Sequence, residues 1–156
     1  MEDCSTTEKI IEKGYNEPCF NPWIGSEISA INQGFLILLG VEKDDGFEDL
    51  DYLVNKTIGL RIFKDDNNNM NLSLKDVNGE ALIVSQFTLC ADTQKGRRPS
   101  FISAALPKMA DEMYKQYCNK LICEGIPVQT GKFGAIMEVA IVNDGPVTVV
   151  LNSNDR

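Results

Sequence analysis

Ser85, Gln86 and Thr88 surround Phe87, and a short way downstream comes Lys95-Gly96-Arg97-Arg98-Pro99, the densest positive run in an otherwise acidic chain. Hydroxyls and a carboxamide at that spacing can hold and orient a polar substrate, and a basic loop beside them attracts anions. A serine or threonine hydroxyl attacks poorly at neutral pH unless a base activates it. The 156 residues contain no histidine. That removes the imidazole of a serine or cysteine triad, the imidazole metal ligand, and the one side chain that ordinarily titrates near neutrality. An enzyme built from this chain must use a perturbed carboxylate, lysine or cysteine, a metal held by oxygen ligands, or backbone positioning joined to the substrate's own groups.

Composition narrows the choice. The formal net charge of -8 argues against a general nucleic-acid coat protein, although a local basic patch on an acidic body still binds phosphate. The five cysteines, Cys4, Cys19, Cys90, Cys118 and Cys123, form no close pair at metal-ligand spacing, and an odd number leaves one unpaired in a monomer. Cys90 reads as a small apolar filler. The run Asp65-Asp66-Asn67-Asn68-Asn69 is rich in oxygen ligands, but it lacks the glycine and the glutamate that a calcium loop of the helix-loop-helix type requires, so it reads as a solvated turn. Neither a metal nor a cofactor is expected. No signal peptide and no long apolar span are evident, which points to a reduced, cytoplasmic setting without a membrane partner.

The elements that must position these residues follow from periodicity. Phe35 to Val41 is too short for a helix and too uniformly apolar for a half-wet strand, so it predicts a central strand; Ala81 to Val84 predicts another, carrying Ser85 at its end. Between them, Asp45 and Glu48 have capping-box spacing, and Phe47, Leu50, Leu53, Val54, Thr57 and Ile58 fall on one side of a helix ending near Gly59. Leu60 to Phe63 and Met70 to Leu74 read as short strands. Pro107 opens a second helix whose apolar stripe, Met109, Met113, Tyr117 and Leu121, stops at Gly125. Val128 to Thr130, Ile136 to Val142 and Val147 to Leu151 read as strands, with Asn143-Asp144-Gly145-Pro146 as the turn closing the last two. One domain of 26–156 is expected, preceded by an arm of 1–25 that is loosely attached and docked, if anywhere, by Trp23.

Several stretches, taken in order, carry a resemblance: Leu38-Leu39-Gly40-Val41, Leu60-Arg61-Ile62-Phe63, Ser85-Gln86-Phe87-Thr88-Leu89, Lys95-Gly96-Arg97-Arg98-Pro99-Ser100-Phe101, Lys132-Phe133-Gly134-Ala135 with Met137, and Asn143-Asp144-Gly145-Pro146-Val147-Thr148. From about Ile28 to Leu151 the chain resembles the D-aminoacyl-tRNA deacylases, once called D-tyrosyl-tRNA deacylases. The resemblance implies a small α+β domain of largely antiparallel, barrel-like sheet with two main helices, forming a homodimer. It implies hydrolysis of the ester of D-aminoacyl-tRNA, and of glycyl-tRNA as well, as chiral proofreading in translation.

The site residues follow from the same resemblance. Ser85, Gln86, Phe87 and Thr88 line the pocket for the aminoacylated 3′ adenosine, with Met137 and Phe101 at its walls and Lys95, Arg97 and Arg98 toward the tRNA. Gly145 and Pro146, within the motif that also holds Asn143 and Thr148, enter the opposite subunit's site through a cis peptide bond and exclude an L side chain. Thr88 either attacks directly or positions a substrate-assisted hydrolysis, and the absence of an evident base favours the second. The arm departs from the family, which opens with a strand of the type Met-basic-Ala-Val-Val-Gln-Arg-Val. Ile136 departs too, where many relatives carry histidine or another polar or aromatic residue. Loss of the first strand leaves the alternative of a non-catalytic or weakly active tRNA-binding paralogue.

Overall fold

The computed structural model describes residues 8–15, 19–21 and 26–156. Among these residues ten strands and two α-helices follow one another: β1 (Glu8–Tyr15), β2 (Cys19–Asn21), β3 (Ser26–Ser29), β4 (Gln33–Leu39), α1 (Phe47–Gly59), β5 (Phe63–Lys64), β6 (Met70–Leu72), β7 (Glu80–Ser85), α2 (Pro107–Cys123), β8 (Val128–Thr130), β9 (Glu138–Val139) and β10 (Val142–Asn152). A five-stranded sheet has the order β10-β1-β4-β7-β8; β3-β2-β9 and β5-β6 form two smaller sheets.

The unbroken apolar character of β4 and β7 has a direct cause. Phe35, Ile37 and Leu39 of β4, with Ala81 and Ile83 of β7, pack under α1 and α2, while Leu36, Leu82 and Val84 turn to the other face. There Ile28 and Val139, from the three-stranded sheet, cover them together with Ile31. Both faces of the inner strands are buried, so neither can be polar. Leu50, Leu53, Val54 and Thr57 form the buried stripe of α1, and Met113, Tyr114, Tyr117, Cys118 and Leu121 that of α2. The two helices meet through Thr57 and Tyr117, whose hydroxyls lie 2.6 Å apart in the fully buried core. Pro107 starts α2, and Gly125, at φ +83°, ends it with its N–H donating to the Ile122 carbonyl.

Four expectations need correction. The main sheet is open: β10 and β8 are its edges, and among the described residues no sheet closes into a barrel. It is also mixed, since β1 runs antiparallel to β10 and β4 while β4, β7 and β8 are parallel. The connections from β4 to β7 and from β7 to β8 carry α1 and α2, and such helical crossovers produce parallel neighbours. Second, the backbone of Glu8–Tyr15 lies between β10 and β4 as an inner strand, so the position left open by the divergent arm is filled. Trp23 lies outside the described residues. Third, the helix cap sits one residue later than its spacing suggests. Gly46 precedes α1 and donates its N–H to Asp49 Oδ2 at 2.9 Å, while Asp45 instead accepts from the Glu42 N–H at 2.7 Å.

Fourth, Asn143 to Pro146 does not reverse the chain. β10 runs through it, and the four residues Asp144 to Val147 stand opposite the single Lys13, because Asn143 pairs Gly14 and Thr148 pairs Glu12. The residue types that would make a turn make a bulge on an edge strand. The Asp65 run is a turn as expected. Asp65 Oδ1 accepts the N–H groups of Asn67 and Asn69 and Oδ2 accepts the Asn71 carboxamide, which together hold this carboxyl below its ordinary range.

Candidate active site

β7 delivers Ser85 to the end of the sheet, and the chain leaves it pinned, because the Gln86 N–H donates to the Leu39 carbonyl at the end of β4 at 2.8 Å. Residues Phe87–Cys90 then form one turn of 3₁₀ helix, with the Leu89 N–H donating back to the Gln86 carbonyl. The turn is rooted by Cys90, which is buried and directs its thiol to the Val41 carbonyl, so its expected role as filler holds. Above it, the Gln86 carboxamide Nε2 donates to Thr88 Oγ1. Phe87, 57% exposed, meets Phe101 edge to face with ring centres 5.1 Å apart.

These residues open onto a cleft of about 680 Å³. Ser85, Gln86, Phe87, Phe101 and Met137 line it, joined by Val84, the segment Ala104 to Leu106 that leads into α2, Pro107 at its first turn, and the loop Phe133 to Ile136. Met137 is set from behind: its Sδ accepts the Lys132 N–H at 3.2 Å, and its end lies against Gly131, where a Cβ would come within 3.1 Å of the methyl. Phe133 is backed by Tyr114, whose hydroxyl donates to the Ile83 carbonyl of β7 at 2.7 Å. Among the described residues, the lining contains no carboxylate, lysine or cysteine side chain. Its polar side chains are the Ser85 hydroxyl and the Gln86 carboxamide.

The structure therefore brings together five of the residues expected at the site, with Thr88 joined to them through Gln86. Lys95, Arg97 and Arg98 are not in the lining. They sit exposed at the tip of a loop closed by paired backbone bonds between Asp92 and Ser100, and Phe101 follows directly into the cleft. Asn143, Gly145, Pro146 and Thr148 are elsewhere. Their bulge lies three strands across from β7, level with Glu80 to Leu82 rather than with Ser85. At strand spacings of about 4.8 Å and about 3.3 Å per residue, that is roughly 20 Å from the same chain's cleft. The Gly145–Pro146 peptide is cis. Phe133, Leu106 and Ile136 belong to the cleft although they were not singled out as site residues; Leu106 and Ile136, 77% and 68% exposed, are large apolar side chains left at its mouth.

The family model for D-Tyr-tRNA(Tyr) deacylase matches residues 23–152, which include the whole cleft and the bulge. A D-aminoacyl-tRNA deacylase of Desulfatibacillum aliphaticivorans is 53% identical over 129 residues, covering 83% of this chain and 88% of the relative. One from Thermosipho africanus is 54% identical over 129 residues, covering 83% and 87%. A solved structure of a c-Myc DNA unwinding element binding protein superimposes with a TM-score of 0.86 at 35% identity, covering 92% of this chain and 97% of the other. With the matched span reaching from residue 23 to residue 152, the chain belongs to the D-Tyr-tRNA(Tyr) deacylase family.

Proposed function

We infer that this protein hydrolyses the ester joining a D-amino acid to tRNA, releasing the free amino acid and tRNA, in chiral proofreading. The observation that carries this reading is the cleft at the end of β7, where Ser85, Gln86 and Thr88 gather beside the rings of Phe87 and Phe101 and where, among the described residues, the lining holds no side-chain base. An adenine has a flat face that Phe87 and Phe101 can cover, and its ribose offers hydroxyls to Ser85 and Gln86. The basic loop of Lys95, Arg97 and Arg98 meets the acceptor end of the tRNA, where phosphate contacts position without reading sequence.

Thr88 positions in this reading. Its oxygen already accepts from Gln86, leaving its proton to donate to substrate, and among the described residues the cleft lining offers no carboxylate, lysine or cysteine to make it a nucleophile. Water adds to the ester carbonyl with help from the ribose 2′-hydroxyl, the bond to the ribose 3′ oxygen breaks, and that oxygen takes the proton. The N–H groups of Phe87 and Thr88, at the head of a helical turn and without partners inside it, stabilise the charge on the carbonyl oxygen.

Chirality comes from a second copy of the chain. The distance between cleft and bulge within one chain favours a homodimer in which Gly145–Pro146 of each copy enters the other's cleft and leaves no room for an L side chain. Glycine, having no side chain to collide, passes the same filter, so glycyl-tRNA is also a substrate. Among the described residues no helix is long and apolar enough to cross a membrane; the place of work in this reading is the cytoplasm, beside the translation machinery.

A non-catalytic, tRNA-binding paralogue is the second reading, and it rested on a missing first strand. The inner position of β1 counts against it. Initial rates of deacylation of D- and L-aminoacyl-tRNA by the full-length protein separate the two. D-selective hydrolysis is expected; binding of tRNA without hydrolysis would transfer support to the paralogue, and equal rates on both enantiomers would contradict the chiral site.

A further inference from the structure

We propose that Asn143 is the positioning residue that sets how Gly145 and Pro146 stand off the edge of the sheet. The bulge places four residues, Asp144 to Val147, against the single Lys13 of β1. Residues in such an excess have no register with the neighbouring strand, so the ladder that holds the rest of β10 cannot fix their direction. The Asn143 carboxamide takes over that task with both of its ends. Its Oδ1 accepts the Val147 N–H at 2.9 Å, and its Nδ2 donates to Thr148 Oγ1 at 3.1 Å.

These two bonds close a ring across Asp144, Gly145 and Pro146. All three of those residues are exposed, whereas Val147, at the base of the ring, is half-buried against the main core. The bulge is thus rooted on one side and tied across its neck. Gly145 fits closely within the ring: φ is +143°, and a Cβ there would come within 2.7 Å of Val147 Cγ2 and 3.0 Å of the Val147 nitrogen. The tip has little freedom while Val147 stays in place, and Asn143 is what bonds to Val147. Thr148, expected among the substrate contacts, serves here as the second anchor of the carboxamide.

The inference rests on the reading that the bulge discriminates chirality, and it makes that discrimination depend on a side chain that need not touch substrate. Residue chemistry predicts which substitutions matter. Aspartate keeps an acceptor for the Val147 N–H and can accept from the Thr148 hydroxyl; alanine keeps neither. Because β1 and β10 remain paired from Glu8–Asn152 to Glu12–Thr148 beyond the bulge, the loss is local.

The test compares the full-length parent with Asn143→Ala and Asn143→Asp, measuring initial rates on D- and L-aminoacyl-tRNA and hydrogen exchange at the Val147 amide. In Asn143→Ala the D-over-L rate ratio should fall by about tenfold or more and the Val147 amide should exchange faster by a similar factor, the scale of one lost hydrogen bond. Asn143→Asp should restore most of both. An unchanged ratio with Asn143→Ala, an Asn143→Asp variant as poor as the alanine, or unaltered exchange at Val147 would overturn the proposal. Should the parent itself hydrolyse both enantiomers equally, the chiral reading of the site fails, and exchange at Val147 still decides whether Asn143 holds the bulge.

Discussion

On the reading proposed above, the contact between Gln86 and Thr88 bears on the choice of mechanism. With the Thr88 oxygen engaged by the Gln86 carboxamide, replacing Thr88 by Ala removes an orienting group and leaves the reacting groups of substrate and backbone in place. Single-turnover deacylation by Thr88→Ala should fall by about ten- to a hundredfold and stay well above the uncatalysed rate; a fall to the uncatalysed rate would establish obligatory attack by the hydroxyl. Much of this half of the site was legible, because polar residues at the end of an apolar run and aromatics beside a basic run are unusual enough to notice. Leu106 was not, and Phe133 was noticed only as part of a motif and not as a cleft wall, since a loop residue and a residue just before a helix become neighbours only through tertiary packing. At Tyr117 the consequence concerns stability. Burial pushes its hydroxyl well above the ordinary tyrosine range, partly offset by the bond to Thr57. The folded chain keeps this proton at pH values where the unfolded chain releases it, so the full contribution is present below about pH 10 and is lost progressively above it. Urea denaturation as a function of pH should show a steeper alkaline decline for the parent than for Tyr117→Phe, which should itself cost about 1–2 kcal/mol at neutral pH.

Among the elements, β1 separates what periodicity can reveal from what it cannot. Strands buried on both faces announce themselves by composition, as β4 and β7 do, and α1 and α2 by their stripes. Glu8–Tyr15 reads EKIIEKGY, with one apolar pair among charges, and its place as a strand comes from pairing with segments that lie far along the chain. The bulge of β10 was misread for a related reason: asparagine, aspartate, glycine and proline mark a departure from the ladder without saying whether the chain then turns back or continues. Closure into a barrel, too, depends on which strands end at the edges, which local patterns do not encode. The inner position of β1 has a measurable consequence. Ile11 pairs with Val149 on one side and Ile37 on the other, so proline there removes a ladder donor from a strand bonded on both flanks. Ile11→Pro should cost about 1–3 kcal/mol by chemical denaturation, the scale of a broken ladder bond that leaves its partner unsatisfied, whereas proline at Asp66, in the exposed turn between β5 and β6, should cost far less. Equal effects at the two positions would deny β1 its place in the sheet.

For the whole molecule, the decisive fact is that one chain keeps its cleft and its Gly145–Pro146 bulge apart. Strand order and register place Ser85, at the end of β7, and Gly145–Pro146, on β10 of the same sheet, roughly 20 Å from each other. A working site assembled from two copies then makes a prediction that a monomeric site does not. Gln86→Ala damages the cleft and leaves the bulge intact. Gly145→Val damages the bulge, because any Cβ at that position meets Val147, and leaves the cleft intact. Each variant alone should lose most D-selective turnover. If the two are mixed in equal amounts and allowed to exchange subunits, half of the dimers pair one variant with the other, and each mixed dimer holds one site whose cleft and bulge are both undamaged. About a quarter of the parental sites should reappear by this random assortment, with parental D-over-L selectivity, and the recovery should require the time and dilution that subunit exchange needs. A mixture that stays as inactive as its components after exchange has been verified by mass would mean that cleft and bulge do not act across copies.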